Sequence, residues 1–399
     1  MRKIFYLLLL PAILFAQEKD KGKMVDYKNK FYEEIVKKLD GEDAEVKSRK
    51  KFMMDFEDYE IPDSPDDFVS AWHNDPLSQG RSGMCWSFST TSFLETEANR
   101  VNNVKVKLSE LYTVYNEYLE KAARFVEERG DSRIAEGSLS GAVLNIWKKY
   151  GAVPESVYDG MGKGKECHDH EGLIKEISAY LDAQKEANNW NTEQVISTVK
   201  AILNFYIGEP PAEFEYEGKK YTPLTFVSDY LKINPDDYEI IISLKDKPFF
   251  ERVLFDVPDN WWRGTDYINV PLETYISVMN QALDNGYSLC LDADVGESGL
   301  SGDNDVAVIP SYDIPSEFIN DDARFLRFDN ESTTDDHLVH MVGKKDINGE
   351  TWYLIKDSMS GAFNGEHPGY FFYHEDYVKL KVLFYVAHKD ALDSILSKL

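Results

Sequence analysis

Two periodicities divide this chain, and their order limits the folds open to it. Apolar residues recur at helical spacing in the first half, whereas short β-rich runs gather near the end. Phe88, Thr91, Phe93, Leu94, Thr96 and Ala98 follow Cys85 at helical intervals. A second helix is expected from Ser109-Glu110 past Phe125, and a third from Ser140 to Tyr150, where Gly151 and Pro154 stop it. Helical periodicity returns at 171–207, and Tyr-Glu-Gly-Lys-Lys-Tyr within 214–222 reads as a hairpin. Strand signals follow at Ser288–Ala293, Leu338–Val342, Trp352–Ile355, Tyr370–Tyr373 and Val382–His388, with an Asn348-Gly349 turn between two of them. Helices first and an antiparallel sheet last imply an α+β architecture, a helical half facing a β half.

The 399 residues leave room for two or three domains, or one large domain with an insertion. Apolar residues at 43% and aromatics at 13% exclude intrinsic disorder. The formal charge of −27 argues against a phosphate-backbone binder, so no nucleic-acid partner is expected. Met1-Arg2-Lys3, the apolar run Ile4–Phe15, Ala16 and the polar Gln17-Glu18-Lys19 have the layout of a signal peptide. The run is too short for a membrane span, so export to a periplasmic or extracellular location is expected, without stable membrane insertion. Residues 17–60 are highly charged and read as helix and loop, with a helical pattern through Tyr27, Phe31, Ile35 and Leu39.

Three cysteines, Cys85, Cys167 and Cys290, leave at least one thiol unpaired. Cys290 lies in an apolar strand pattern and reads as core. Cys167 stands in Glu-Cys-His-Asp-His170, but no second ligand pair follows at finger spacing, so a solvated loop is expected and no metal or other cofactor. Cys85 differs. It follows Gln79-Gly-Arg-Ser-Gly-Met and opens a helix, where unpaired N–H groups and the helix dipole favour a thiolate. A thiolate attacks carbonyl carbon. The Gln79 amide and the Cys85 backbone N–H would face the oxygen of a tetrahedral intermediate.

A thiolate needs an acid–base partner. His337 and His340 sit in one predicted strand, where residues three apart point to opposite faces, so only one faces the cleft. Twenty residues after His337, Asp357 ends the next strand and would accept the histidine Nδ1–H.

These residues carry a resemblance. Gln79, Ser82, Gly83, Cys85, Trp86 and Phe88 resemble the nucleophile segment of papain-like cysteine peptidases. Asp336-His337 through Gly343 resembles the histidine segment and selects His337 over His340. Lys356-Asp357-Ser358 resembles the third, with Asp357 where the family has asparagine and Met359 where it has tryptophan. Leu108-Ser109-Glu110, Lys149–Tyr158, Tyr267–Leu272 and Asp292–Val295 are similar to the bleomycin hydrolase and aminopeptidase C branch (peptidase family C1B). The 252 residues between Cys85 and His337 exceed the papain spacing by about 100, room for an insertion.

The resemblance implies a papain-like α+β fold with the catalytic cleft between its halves. It divides the chain into a signal peptide (1–16), a charged extension (17–60), a helical half with Cys85 (61–160), a mostly helical insertion (161–270), and a β half with His337, Asp357 and the C-terminal tail (271–399). It implies peptide substrates bound along Gly137, Ser138 and Trp86, with Ser138 narrowing the cleft, and a homo-oligomer, a hexamer in the family, built through the insertion. It implies removal of N-terminal residues, with the tail in the cleft meeting the substrate amine; a surface helix is the other reading of that tail. The alternatives are an endopeptidase of the same fold and a non-catalytic peptide binder.

Overall fold

The structure is a computed structural model and describes residues 20–399, apart from positions 58, 133 and 163. The expected signal peptide, 1–16, lies outside the described residues.

The charged extension contains more than helix and loop. Strand β1 (Gly22–Tyr27) pairs antiparallel with β2 (Arg49–Met54), and α1 (Lys30–Asp40) lies between them in sequence. Asn29 caps α1 by accepting the Tyr32 amide at 2.9 Å. Tyr27, read as part of the helical pattern, belongs to β1. The Arg49-Lys50-Lys51 run hides the alternation of β2, because strands on a surface carry charge on their open face. A short β3 (Val69–Ser70) then joins the main sheet at its 337–347 strand.

Helices α2 (Cys85–Asn102), α3 (Glu110–Glu127) and α4 (Ser140–Tyr150) form the helical half. Helix α2 is buried on every side from Trp86 to Ala98, so it carries no amphipathic stripe. Most of its buried polar groups are bonded internally, among them Thr90 to Ser140 at 3.1 Å, and Glu95 to Lys107 Nζ at 3.0 Å and the Leu108 amide at 2.8 Å. The last pair ties α2 to the start of α3, which Ser109 caps through the Tyr112 amide. Gly151 ends α4 at φ 83°; a side chain there would meet the backbone of Pro223 at 2.2 Å.

Helices α5 (Glu171–Glu186) and α6 (Thr192–Ile207) follow, and both contribute to the core of the helical half. A hairpin, β4 (Phe214–Tyr216) and β5 (Lys219–Tyr221), turns at Glu217-Gly218, both at positive φ. One turn, α7 (Pro223–Thr225), runs into a π-helical turn at Phe226–Leu231. The rest of 161–270 departs from the mostly helical expectation. It supplies β6 (Tyr238–Ile242), β7 (Glu251–Val253) and β8 (Tyr267–Asn269) to the large sheet. The β-branched run Ile240-Ile241-Ile242 is buried on both faces, which favours a strand over a helix.

Helix α8 (Leu272–Asp284) leads into β9 (Leu289–Ala293), β10 (Leu300–Ser301) and β11 (Val306–Ala307). Helix α9 (Asp321–Asp329) precedes β12 (His337–Ile347), β13 (Glu350–Lys356) and β14 (Tyr370–His374). Helix α10 (Glu375–Lys381), β15 (Val382–His388) and α11 (Asp393–Leu396) complete the chain. The sheet runs β10-β11-β14-β13-β12-β9-β15-β6-β8-β7 and is antiparallel except at β11–β14 and β6–β8. Asn348 and Gly349, both at positive φ, make the β12–β13 turn.

Alternation along these strands separates two cores. Cys290, Leu338, Phe384 and Ile240 face the helical half, whereas Leu291, Val339, Tyr385 and Ile241 face α8 and α10 behind the sheet. The last residues join the rear core. Leu392 and Ile395 are fully buried there, and Lys398 lies over Phe250, 4.8 Å from the ring centroid. Residues 389–399 therefore sit on the sheet face turned away from α2, not in the cleft between the halves.

Candidate active site

Cys85 is the first residue of α2 and is half-buried. Met84 occupies the N-cap and no side chain bonds to the first turn, so the helix presents open N–H groups beside the sulfur. The loop before it is tightly held. Gly83 donates to a Glu136 carboxylate oxygen, and a Cβ on Gly83 would lie 2.9 Å from the Glu136 Cβ. Arg81 bonds Asp169 at 3.0 Å and Asp40 at 2.6 Å.

His337 opens β12 and is buried. Its Nε2 lies 2.7 Å from Asp357 Oδ1. Nε2, and not the expected Nδ1, faces the carboxylate. At the start of β12 the ring edge bearing Nε2 meets the end of β13, which leaves Nδ1 for Cys85, the second hydrogen-bond partner of the ring. Burial opposes charging the imidazole, but Asp357 and Cys85 outweigh it and hold the His337 pKa well above its usual range. The geometry thus favours an imidazolium between two acceptors.

Asp357 follows β13 and its side chain is fully buried. Oδ1 also accepts the Met359 amide at 2.7 Å, while Oδ2 has no hydrogen-bond partner among the described residues. The His337–Asp357 pair is enclosed although Met359 stands where tryptophan was expected: the two side chains are 6% and 0% exposed.

Gln79 links the two halves. Its backbone N–H donates to Ser358 O at 2.9 Å, and its Oε1 accepts the Ser358 hydroxyl at 2.8 Å. Nε2 donates one hydrogen to Ser82 O at 2.6 Å; a primary amide has a second. The structure therefore brings Cys85, His337, Asp357 and Gln79 into one place from three separate segments: the 79–85 loop, the start of β12 and the end of β13.

The three expected substrate-binding residues are placed differently from one another. Trp86 is 1% exposed and its indole N–H donates to Glu136 O at 3.0 Å, so it positions the 136–138 segment from beneath rather than lining the cleft. Ser138 is buried too, and its hydroxyl turns inward to Glu117 at 2.7 Å. It does not narrow the cleft. Gly137 lies against Asp259: a Cβ there would come 2.0 Å from the carboxylate. Trp261 and Trp262, a packed pair at 4.7 Å, hold the same Glu117 through their indole N–H groups.

His340 turns to α2, where Ser92 bonds Nδ1 at 2.9 Å, and Ser288, just before β9, bonds Nε2 at 2.9 Å. Cys290 is buried against Ser140 and Thr90. The Cys167–His170 segment is not a solvated loop. Arg81 N donates to His168 O at 2.9 Å and His170 N to Arg81 O at 3.1 Å, so this segment braces the nucleophile loop. Burial pushes His168 down to about 4 and His170 down to about 3. The opposite charges of Arg81 and Asp169 were the sequence signal for this brace. No group of three metal-binding side chains occurs among the described residues.

The Peptidase C1-like family profile matches residues 21–398. The chain belongs to the Peptidase C1-like family. By sequence the chain is similar to the aminopeptidase C of Listeria innocua serovar 6a, 27% identical over 265 residues, covering 56% of this chain and 60% of that protein. Aminopeptidase G of Lactobacillus delbrueckii subsp. lactis is 25% identical over 55% of this chain and 59% of its own. The mitochondrial cysteine proteinase 1 of Saccharomyces cerevisiae is 23% identical over 52% of each. The matched stretches thus span about 52–60% of these curated relatives. Among solved structures, PepW from Lactobacillus rhamnosis superposes with a TM-score of 0.64 at 20% identity, covering 83% of both chains. The observed fold is the papain-like α+β architecture of this Peptidase C1-like group, with Cys85 on the helical half and His337 on the β half.

Proposed function

We propose that this protein is a cysteine peptidase that removes N-terminal residues from peptides. The observation that carries the reading is the convergence of Cys85, at an uncapped helix N-terminus, with a His337–Asp357 pair bonded at 2.7 Å. The Cys85 thiolate attacks the peptide carbonyl, and its oxygen takes the charge between the Cys85 N–H and the free hydrogen of the Gln79 amide. His337 gives its proton to the leaving amine as the C–N bond breaks, and a thioester remains. His337 then takes a proton from water, whose oxygen attacks the thioester, and the thiolate is released with the acid. Asp357 orients the ring throughout.

The removal of N-terminal residues rests on the aminopeptidase relatives. One observation favours endopeptidase action as the second reading: residues 389–399 pack behind the sheet. Hydrolysis of an aminoacyl-fluorophore beside the same compound with its amine blocked separates the two. Preference for the free amine supports the exopeptidase, and equal rates support the endopeptidase. Reaction of Cys85 with a thiol-directed epoxide opposes a non-catalytic peptide binder. Export through residues 1–16 belongs to the same proposal and is checked by the N-terminal sequence of secreted material. So does assembly into a homo-oligomer, supported by Phe205, 80% exposed on α6, and checked by sedimentation of a Phe205→Glu variant.

A further inference from the structure

An open cavity of about 440 Å³ lies between the N-terminal β1–β2 pair and the β half, reaching Met359 two residues after Asp357. Lys47, Arg49 and Lys51 line one wall with Tyr27; Val295 and Met359 line the other. Arg49 and Lys51 are two apart on β2 and share a face. Lys51 sits 5.5 Å from the Tyr27 ring centroid. This is a concentration of positive charge in a chain of net charge −27.

Among the described residues these cations, Lys47, Arg49 and Lys51, form no ion pair with a carboxylate, and Asp303, the acid that acts on Tyr27, is engaged by Lys30 at 3.7 Å. Burial and then the neighbouring Arg49 both disfavour the charged form of Lys51, as expected of cations held together without an anion.

The wall is also rigid. Asn29 Nδ2 donates to Ser360 Oγ at 3.0 Å, Phe31 stacks on Phe363 at 4.7 Å, and the Met54 amide donates to Ser298 O at 2.9 Å. The first two contacts fasten the start of α1 to the loop that follows Asp357, and the third fastens β2 to the loop before β10. Met359 joins the cavity to the acid–base pair, because its amide bonds the same Asp357 oxygen that holds His337.

We propose that this cavity binds a carboxylate on the leaving part of the substrate. The inference rests on the peptidase reading above. Under that reading the acyl part lies along Gly137 on the helical half. The leaving amine takes its proton from His337, so the chain beyond the cleaved bond crosses the β half toward Met359. A carboxylate there meets Arg49 and Lys51 through charge-assisted hydrogen bonds, with Lys47 at the rim. The carboxylate comes either from the C-terminus of a short peptide or from an acidic side chain close after the cleaved bond. The cavity favours short or acidic peptides over blocked neutral ones.

The test compares three peptides: Leu-Gly-Gly as free acid, Leu-Gly-Gly amide, and Leu-Gly-Glu amide. The full chain is expected to show a KM about tenfold lower for a peptide that carries a carboxylate than for Leu-Gly-Gly amide. A low KM for the free acid alone assigns the site to the C-terminus, and a low KM for the glutamate peptide as well assigns it to any carboxylate. In the Arg49→Ala/Lys51→Ala variant the difference disappears, while hydrolysis of an aminoacyl-fluorophore, which has no carboxylate, is unchanged. The Arg49→Lys/Lys51→Arg variant keeps the difference. Equal KM values for all three peptides in the unaltered chain overturn the proposal, as does a preference that survives the alanine pair. If the chain hydrolyses nothing, the peptidase reading fails separately. Calorimetric binding of the same acid and amide then decides the cavity: an acid preference lost in the alanine pair sustains it, and no preference overturns it.

Discussion

The two sides of the Cys85 site are built by different means. The nucleophile side is local: a seven-residue stretch from Gln79 to Cys85 turns over a glycine-containing loop and enters α2, and its contacts within the loop span three residues. The acid–base side is assembled by sheet register. His337 and Asp357 come from the ends of adjacent antiparallel strands, and His340 pairing with Lys356 sets their distance. A one-residue slip of β12 against β13 would turn His337 to the other face. The first side is therefore sensitive to loop strain and the second to charge and register.

The largest expected effect tests the register-built side. His337→Ala removes the proton donor and should lower kcat/KM by about a thousandfold or more, with circular dichroism unchanged. Combining it with Cys85→Ala should add little, since the two act as a unit. A double variant markedly worse than either single one would break the account.

Asp357→Asn probes charge on the same side. The carboxylate and Cys85 raise the His337 pKa against the effect of burial, so the amide lowers it. The alkaline limb of the pH–rate profile should move to lower pH. Stability follows the same sign. The folded-state pKa lies above the unbound value of 6.5, so the pairing contributes fully below pH 6.5 and is lost as pH rises through the folded-state value. Denaturant melts should show wild type and Asp357→Asn converging at alkaline pH; convergence at acid pH would contradict this.

On the local side, Gly83→Ala places a methyl group 2.9 Å from the Glu136 Cβ and should cost about 1–3 kcal/mol by thermal melting, with reduced kcat. Arg81→Ala removes a partly exposed brace to Asp169 and Asp40 and should cost only about 1 kcal/mol. An Arg81 effect larger than that of Gly83 would reverse the order assigned to the two contacts.

The same division explains what was legible in the sequence. The nucleophile segment was readable because its chemistry is contiguous: Gln79, the glycine and Cys85 stand within one turn and a helix start. His337 and Asp357 were readable as a pair because a twenty-residue spacing matches one hairpin. The ring nitrogen that faces Asp357 was not, since it depends on rotamer and strand twist rather than on spacing. Ser138 and Trp86 looked like cleft residues, but their partners Glu117 and Glu136 lie on other segments and draw them inward. Strand β2 was masked by Arg49-Lys50-Lys51, of which Arg49 and Lys51 line the proposed carboxylate cavity. Strands β6–β8 were masked by their position after two long helices, where no local pattern announces a return to the sheet.

The central claim is that Cys85 and His337 form a working thiolate–imidazolium pair. Hydrolysis of an aminoacyl-fluorophore by the full chain, beside its Cys85→Ala variant, tests it most directly. Turnover by the unaltered chain and none above background in the variant is the expected result. Equal product release by both would contradict it.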